Sequence, residues 1–183
     1  QGSCDDADAG HYVESAAATS QTACLAGTYN SNTASSSSSD CLDASAGNYT
    51  SSAGSGSQTA CAAGTYQAST GQTSCDDADA GYYVSTTGAH SQTACAAGTY
   101  QPSTGQSSCT DASAGYYVPS SAATTQIACS PGTYQPSTGQ ASCTDASAGY
   151  YVDSTAATSQ TACAAGTYNS NTGQTSCIDA SAG

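Results

Sequence analysis

The chain has 183 residues, no Lys or Arg, 13 acidic residues and a formal net charge of −13. Such a surface repels phosphate, which excludes nucleic acid and leaves anionic membranes as poor partners. Phe, Trp and Met are absent, and the branched aliphatics are Leu25, Leu42, Ile127, Ile178 and four valines. So little apolar area does not offset chain entropy by itself, and the 11 cysteines are the obvious source of order.

Their spacing is regular. Cys24, Cys61, Cys95, Cys129 and Cys163 form one series, and Cys41, Cys75, Cys109, Cys143 and Cys177 another, with a period of 34 broken once by a three-residue excess in "NSNTASSSSSD". Neither C-x-x-C nor Cys/His clusters occur, so disulfides rather than zinc are expected. Disulfides at this density place the chain outside the cell or on its surface. No apolar run is long enough to span a membrane, so no direct membrane insertion is expected. Starting Met and signal peptide are absent, as in a mature or partial segment. In chain order the expected divisions are a partial repeat 1–23, a repeat 24–60 with the serine-rich insertion, repeats 61–94, 95–128 and 129–162, and a partial repeat 163–183. Both ends fall mid-repeat, which reads as a slice of a longer array or as ends that each meet a neighbouring subunit.

Each 34-residue unit divides into two halves of 17. "CAAGTYQPSTGQSSCTD" aligns with "ASAGYYVPSSAATTQIA" through Gly98/Gly115, Tyr100/Tyr117 and Pro102/Pro119. In the second half Ala112 and Gln126 stand where both cysteines would be. Their joint loss favours bonding of the two positions to each other: Cys24–Cys41, Cys61–Cys75, Cys95–Cys109, Cys129–Cys143 and Cys163–Cys177, with Cys4 left for a partner upstream. The rival register pairs across twenty residues, as in Cys4–Cys24 and Cys41–Cys61, and leaves Cys177 alone. Counting orphans does not decide between them. Each short loop would contribute about 3 kcal/mol by chain entropy.

Within each half, A-G-x-Y and a polar turn predict a short strand and a hairpin. No window has helical periodicity. The predicted fold is small, disulfide-rich and all-β, an elongated rod of stacked hairpins in which each unit leans on its neighbours. The Cys-free half is a hairpin without a staple. Tyr occupies the sixth position of every half, from Tyr12 and Tyr29 to Tyr151 and Tyr168. The position before it varies: His11, Asn48, Tyr82, Tyr116 and Tyr150 in the Cys-free halves, Thr in the others. Strand alternation then puts the uniform Tyr inside and the variable residue outside.

This pattern resembles the cysteine-rich repeats of ephrin-receptor-like and tumour-necrosis-factor-receptor-like ectodomains, whose units begin C-P-x-G-x-Y and close with a cysteine some fourteen residues later. "CSPGTYQPSTGQASC", Cys129 to Cys143, is the nearest copy in this chain. The resemblance implies that the opening Cys pairs with the next one. Ala112 and its counterparts stand where the family's following Cys would sit, so the fuller cross-linking is reduced and receptor function is not carried over.

Candidate chemistry is sparse. An aspartate follows each closing-series cysteine by two residues (Asp6, Asp43, Asp77, Asp111, Asp145, Asp179). Asp76, Asp77 and Asp79, with Asp5, Asp6 and Asp8, are the candidates for calcium, the one cofactor considered; the alternative is an Asx-turn capping backbone N–H groups. His11 and His90 lack a second ligand and are read as exposed variants. No nucleophile–base arrangement recurs, and paired cysteines are not nucleophiles, so no enzyme activity is expected. Ser and Thr make up about a third of the chain. Glycan candidates are Asn48 in the single N-x-S/T sequon, and Ser69, Thr70, Ser103, Thr104, Ser137 and Thr138 in the turns.

The expected function is that of a glycosylated structural subunit or segment of an extracellular filament, surface appendage, stalk or coat. Its expected partners are covalent glycans and other copies, joined head-to-tail or laterally. The alternative is a set of ligand-binding or adhesive ectodomain repeats from a receptor or adhesin.

Overall fold

The computed structural model of the chain describes residues 5–180, so Cys4 lies outside the described residues. Ten two-stranded sheets make up its regular structure. The one helical element among the described residues is a 3-10 turn, Ser38–Asp40, inside the serine-rich insertion. The fold is thus tandem, small, disulfide-rich and all-β.

Each half starts with a tight turn that dictates the spacing of its first residue, Cys or Ala, from the glycine three residues on. Thr28 N–H donates to Leu25 C=O at 3.0 Å, and the third residue of that turn, Gly27, has φ +90°. A type II turn needs a left-handed residue there, which glycine adopts without a Cβ penalty. The Thr28 hydroxyl donates to the same carbonyl at 2.8 Å, which explains Thr after Gly in the Cys-containing halves. A two-residue antiparallel pairing follows, for example Thr99↔Asp111 and Tyr100↔Thr110, and the next half begins just after the returning strand.

The chain forms two compact units. The first comprises Gln1–Asp79, Tyr83–Thr93 and Gly105–Ser107, and the second Ala80–Tyr82, Ala94–Thr104 and Ser108–Gly183. In the first unit, consecutive hairpins are tied by backbone bonds: Gly47 N–H to Gln67 C=O at 2.7 Å, Thr50 N–H to Gln72 C=O at 3.0 Å, and Gly71 N–H back to Ala44 C=O at 2.8 Å. The second unit repeats the set with Gly115 to Gln135, Val118 to Gln140, and Gly139 to Ala112. Two-residue strands are too short to stand alone, and these ties satisfy the backbone groups that a longer ladder would otherwise pair.

Hairpins two apart also touch. A Cβ on Gly47 would overlap the Gly88 carbonyl oxygen in the first unit, and one on Gly115 would overlap the Ala156 carbonyl oxygen in the second. This contact recurs at Gly10, Gly27, Gly64, Gly81, Gly98 and Gly132. It recurs in Cys-containing and Cys-free halves alike, each half covering the glycine two halves back.

From Cys24 to Gln135 the buried positions are the first, fourth and seventh of every half, whereas Val13, Gly149, Cys163, Gly166 and Asn169 are not fully buried. The first is Cys or Ala (Cys95 and Ala112, both fully buried), the fourth is the glycine, and the seventh is Val, Gln, Asn or Thr. The expectation that the uniform Tyr points inward is therefore corrected. Tyr100 and Thr99, like Tyr117 and Tyr116, are all half-buried. A strand of two residues lacks the length to put one face in a core, and the turn glycine and flanking residues do the burying.

Candidate functional site: stapled hairpins and their outer loops

Five disulfides join Cys24–Cys41, Cys61–Cys75, Cys95–Cys109, Cys129–Cys143 and Cys163–Cys177. Each closes its own half. Cys24, Cys61, Cys95 and Cys129 are buried as the first core position, so the covalent staple also fills the core.

The Cys-free halves carry no disulfide, as expected, but a side-chain amide closes each of them. Where the second cysteine would be, Gln126 Oε1 accepts the Ser113 backbone N–H at 2.7 Å. Gln21 does the same for Asp8, Gln58 for Ser45, Gln92 for Asp79 and Gln160 for Ser147, at 2.6–2.7 Å. At Asp8 and Asp79 the amide is used twice: Gln21 Nε2 donates to Asp8 Oδ2 at 2.7 Å and Gln92 Nε2 to Asp79 Oδ2 at 2.6 Å. Sequence reasoning missed this feature, although the recurrence of Gln at the fifteenth position was its signal.

The loops of the Cys-containing halves are organised by a buried amide. Gln101 Nε2 donates to Ser108 C=O at 2.8 Å while its Oε1 accepts the Ser103 N–H at 3.2 Å. Gln67 and Gln135 repeat this with Ser74 and Ser69, and with Ser142 and Ser137. In the serine-rich half, Asn30 replaces Gln. Its Nδ2 donates to Ser35 Oγ at 2.7 Å, and a reciprocal Ser37–Asp40 capping box holds the insertion. Burying an amide is costly unless its donors and acceptors are met, so these bonds explain a polar residue at a core position.

The candidate site residues are not gathered into a centre. Asp76, Asp77 and Asp79 are exposed, and Asp79 is engaged by Gln92; among the described residues no group of three His, Cys, Asp or Glu side chains could hold a metal ion. His90 is exposed, but His11 is half-buried, correcting the expected exposure. Its ring lies against Gly54 and its Nδ1 is 3.3 Å from Ala9 C=O. Ser69, Thr70, Ser103, Thr104, Ser137 and Thr138 all lie on exposed loops. Asn48 is half-buried in its strand, its Nδ2 donating to Ser45 Oγ at 3.0 Å, and the sequon hydroxyl of Thr50 is buried without a partner. The sequon is thus built into the hairpin rather than displayed on a tip. No helix among the described residues is long and apolar enough to cross a membrane.

Stapled halves, interlocked backbones and a core of Cys, Ala, Gly and Val define a tandem array of cysteine-rich repeats. Residues 115–163 match the family model described as tyrosine-protein kinase ephrin type A/B receptor-like. This segment, containing the Cys129–Cys143 staple, is an ephrin-receptor-like cysteine-rich repeat, and the flanking copies reproduce its features. No curated protein matches the chain.

Proposed function

We propose that the chain is a structural segment of an extracellular filament, surface appendage, stalk or coat. The observation that carries this reading is the uniformity of the ties. In each unit the same three core positions and the same backbone bonds recur from hairpin to hairpin, and among the described residues no group of three His, Cys, Asp or Glu side chains is gathered as a metal ion would need. Such an array transmits its geometry from one repeat to the next and needs no differentiated site. Five disulfides suit an oxidising exterior, and the absence of Lys and Arg removes every trypsin-type cleavage point. Glycans on Ser69, Thr70, Ser103, Thr104, Ser137 and Thr138 would coat the exposed loops, and intact-mass measurement of native protein detects them. The role is non-catalytic and needs no cofactor. Electron microscopy of native material tests the reading: it predicts a polymer or surface array, and short isolated particles contradict it.

One observation favours a second reading, in which the repeats belong to a ligand-binding or adhesive ectodomain: the matched family model is of receptor-like repeats. The 35–39 loop is the feature that differs between copies. A protein partner retained by the immobilised chain and lost on shortening that loop would support this alternative.

A further inference from the structure

The half formed by residues 44–60 departs from the other Cys-free halves at two linked positions. Its fifth residue is Asn48, where they have His11, Tyr82, Tyr116 and Tyr150. Its seventh is Thr50, where they have Val13, Val84, Val118 and Val152. These are the two positions that an N-x-T sequon requires. Thr50 brings the fold no gain. It is 2 % exposed and its Oγ1 has no hydrogen-bond partner, so the hydroxyl gives up its hydration without return. Asn48 in turn leaves a gap. A Cβ on Gly54 would lie 3.1 Å from Cε1 of His11, whereas one on the equivalent Gly88 would meet only Ala60 Cβ, at 3.9 Å.

The gap is in line with the Asn48 amide. His11 Nδ1 sits 3.3 Å from Ala9 C=O, and its next ring atom, Cε1, is the one over Gly54. Asn48 Nδ2 donates to the equivalent Ala46 C=O at 3.4 Å, so a carbon bonded to Nδ2 follows the path of Cε1 and lies over Gly88. We propose that Asn48 carries an N-linked glycan, transferred before this hairpin closes. In the transfer, Nδ2 bonds to the anomeric carbon of a lipid-pyrophosphate-linked oligosaccharide. That carbon's bond to the phosphate oxygen breaks, the lipid pyrophosphate leaves, and one amide proton is released. The hydrogen that stays on Nδ2 keeps the bond to Ser45 Oγ, 3.0 Å long. Acceptor recognition needs the Thr50 hydroxyl, and the folded hairpin seals it. Thr50 N–H is committed to Gln72 C=O and Thr50 C=O to Gly27 N–H, so the hydroxyl is open to an enzyme only before the hairpins stack.

The inference rests on the extracellular part of the reading above, since transfer belongs to the secretory route, and does not depend on polymer formation. Peptide mapping of native protein tests the site. Peptide N-glycosidase in heavy-oxygen water should convert Asn48 to labelled Asp, and the unmodified Asn48 peptide should be missing before that treatment. Secreted from a eukaryotic host, the wild-type chain should carry the glycan and Thr50→Val should lack it, with circular dichroism showing that both fold. The order of events is tested with oligosaccharyltransferase and its lipid-linked donor, offered to the unglycosylated chain in two forms. The reduced and alkylated chain should be modified at Asn48, and the disulfide-bonded chain should not. An unmodified Asn48 in native protein, a glycan on Thr50→Val, or equal transfer to the two forms overturns the inference. Those outcomes leave the structural-segment reading to the micrographs of native material.

Discussion

Gln126 Oε1 lies 2.7 Å from the Ser113 backbone nitrogen, so a side-chain amide closes the hairpin where its neighbours have a disulfide. Covalent and polar staples therefore alternate every 17 residues. A neutral hydrogen bond contributes about 1 kcal/mol net, against about 3 kcal/mol for a disulfide loop of this length. The disulfide halves are the anchors, and the glutamine halves hold register between them.

This contrast gives a direct prediction. Gln126→Ala should lower stability by about 1 kcal/mol. Ala112→Cys with Gln126→Cys places cysteines at the first and fifteenth positions, as in the four disulfide halves without the serine-rich insertion. The double variant should form a sixth disulfide, bury its new first-position sulfur as that of Cys95 is buried, and melt higher than wild type. Thiol titration before and after reduction, with thermal denaturation, checks both outcomes.

Thr50 supplies a second prediction. It occupies the seventh position, where Val84, Val118 and Val152 are buried, yet its Oγ1 is buried with no hydrogen-bond partner. An unmet buried hydroxyl costs roughly 1–3 kcal/mol. Thr50→Val keeps the shape and removes the orphan, so stability should rise by about 1–2 kcal/mol. Denaturant unfolding measures it. An unchanged or lower midpoint would show that the hydroxyl is satisfied in solution.

Gly115 and Gly149 separate backbone strain from stacking. Both have positive φ, +84° and +81°, but only Gly115 lies under a carbonyl. Gly149→Ala should cost about 1–2 kcal/mol, the left-handed penalty alone. Gly115→Ala adds overlap with the Ala156 oxygen and should cost more than about 3 kcal/mol. Equal losses in thermal or denaturant melts would deny that the glycine marks the stacking contact.

The fold type and period were legible in the residues. C-x-x-G-T-Y and A-x-x-G-x-Y can satisfy the type II turn, and recurrence at 17 and 34 needs no tertiary information. Which residues form the core was not. Alternation assigns faces only where a strand is long enough to have them, and strands such as Thr99–Tyr100 are two residues long. The burial of Gln101 was hidden too, because an amide reads as a surface residue until its partners, Ser103 N–H and Ser108 C=O, come together through the loop. The glutamine staple was visible only as a substitution for cysteine, and its function became clear from the backbone N–H it reaches.

A tyrosine lies between every two successive cysteines, and this offers the most direct test of the stapled half-repeat. Chymotryptic cleavage of unreduced protein at Tyr83, Tyr100 and Tyr117 puts Cys75, Cys95, Cys109 and Cys129 in separate peptides. Mass spectrometry should then find the Cys95 peptide linked to the Cys109 peptide. Linkage of Cys75 to Cys95 and of Cys109 to Cys129 would contradict the account.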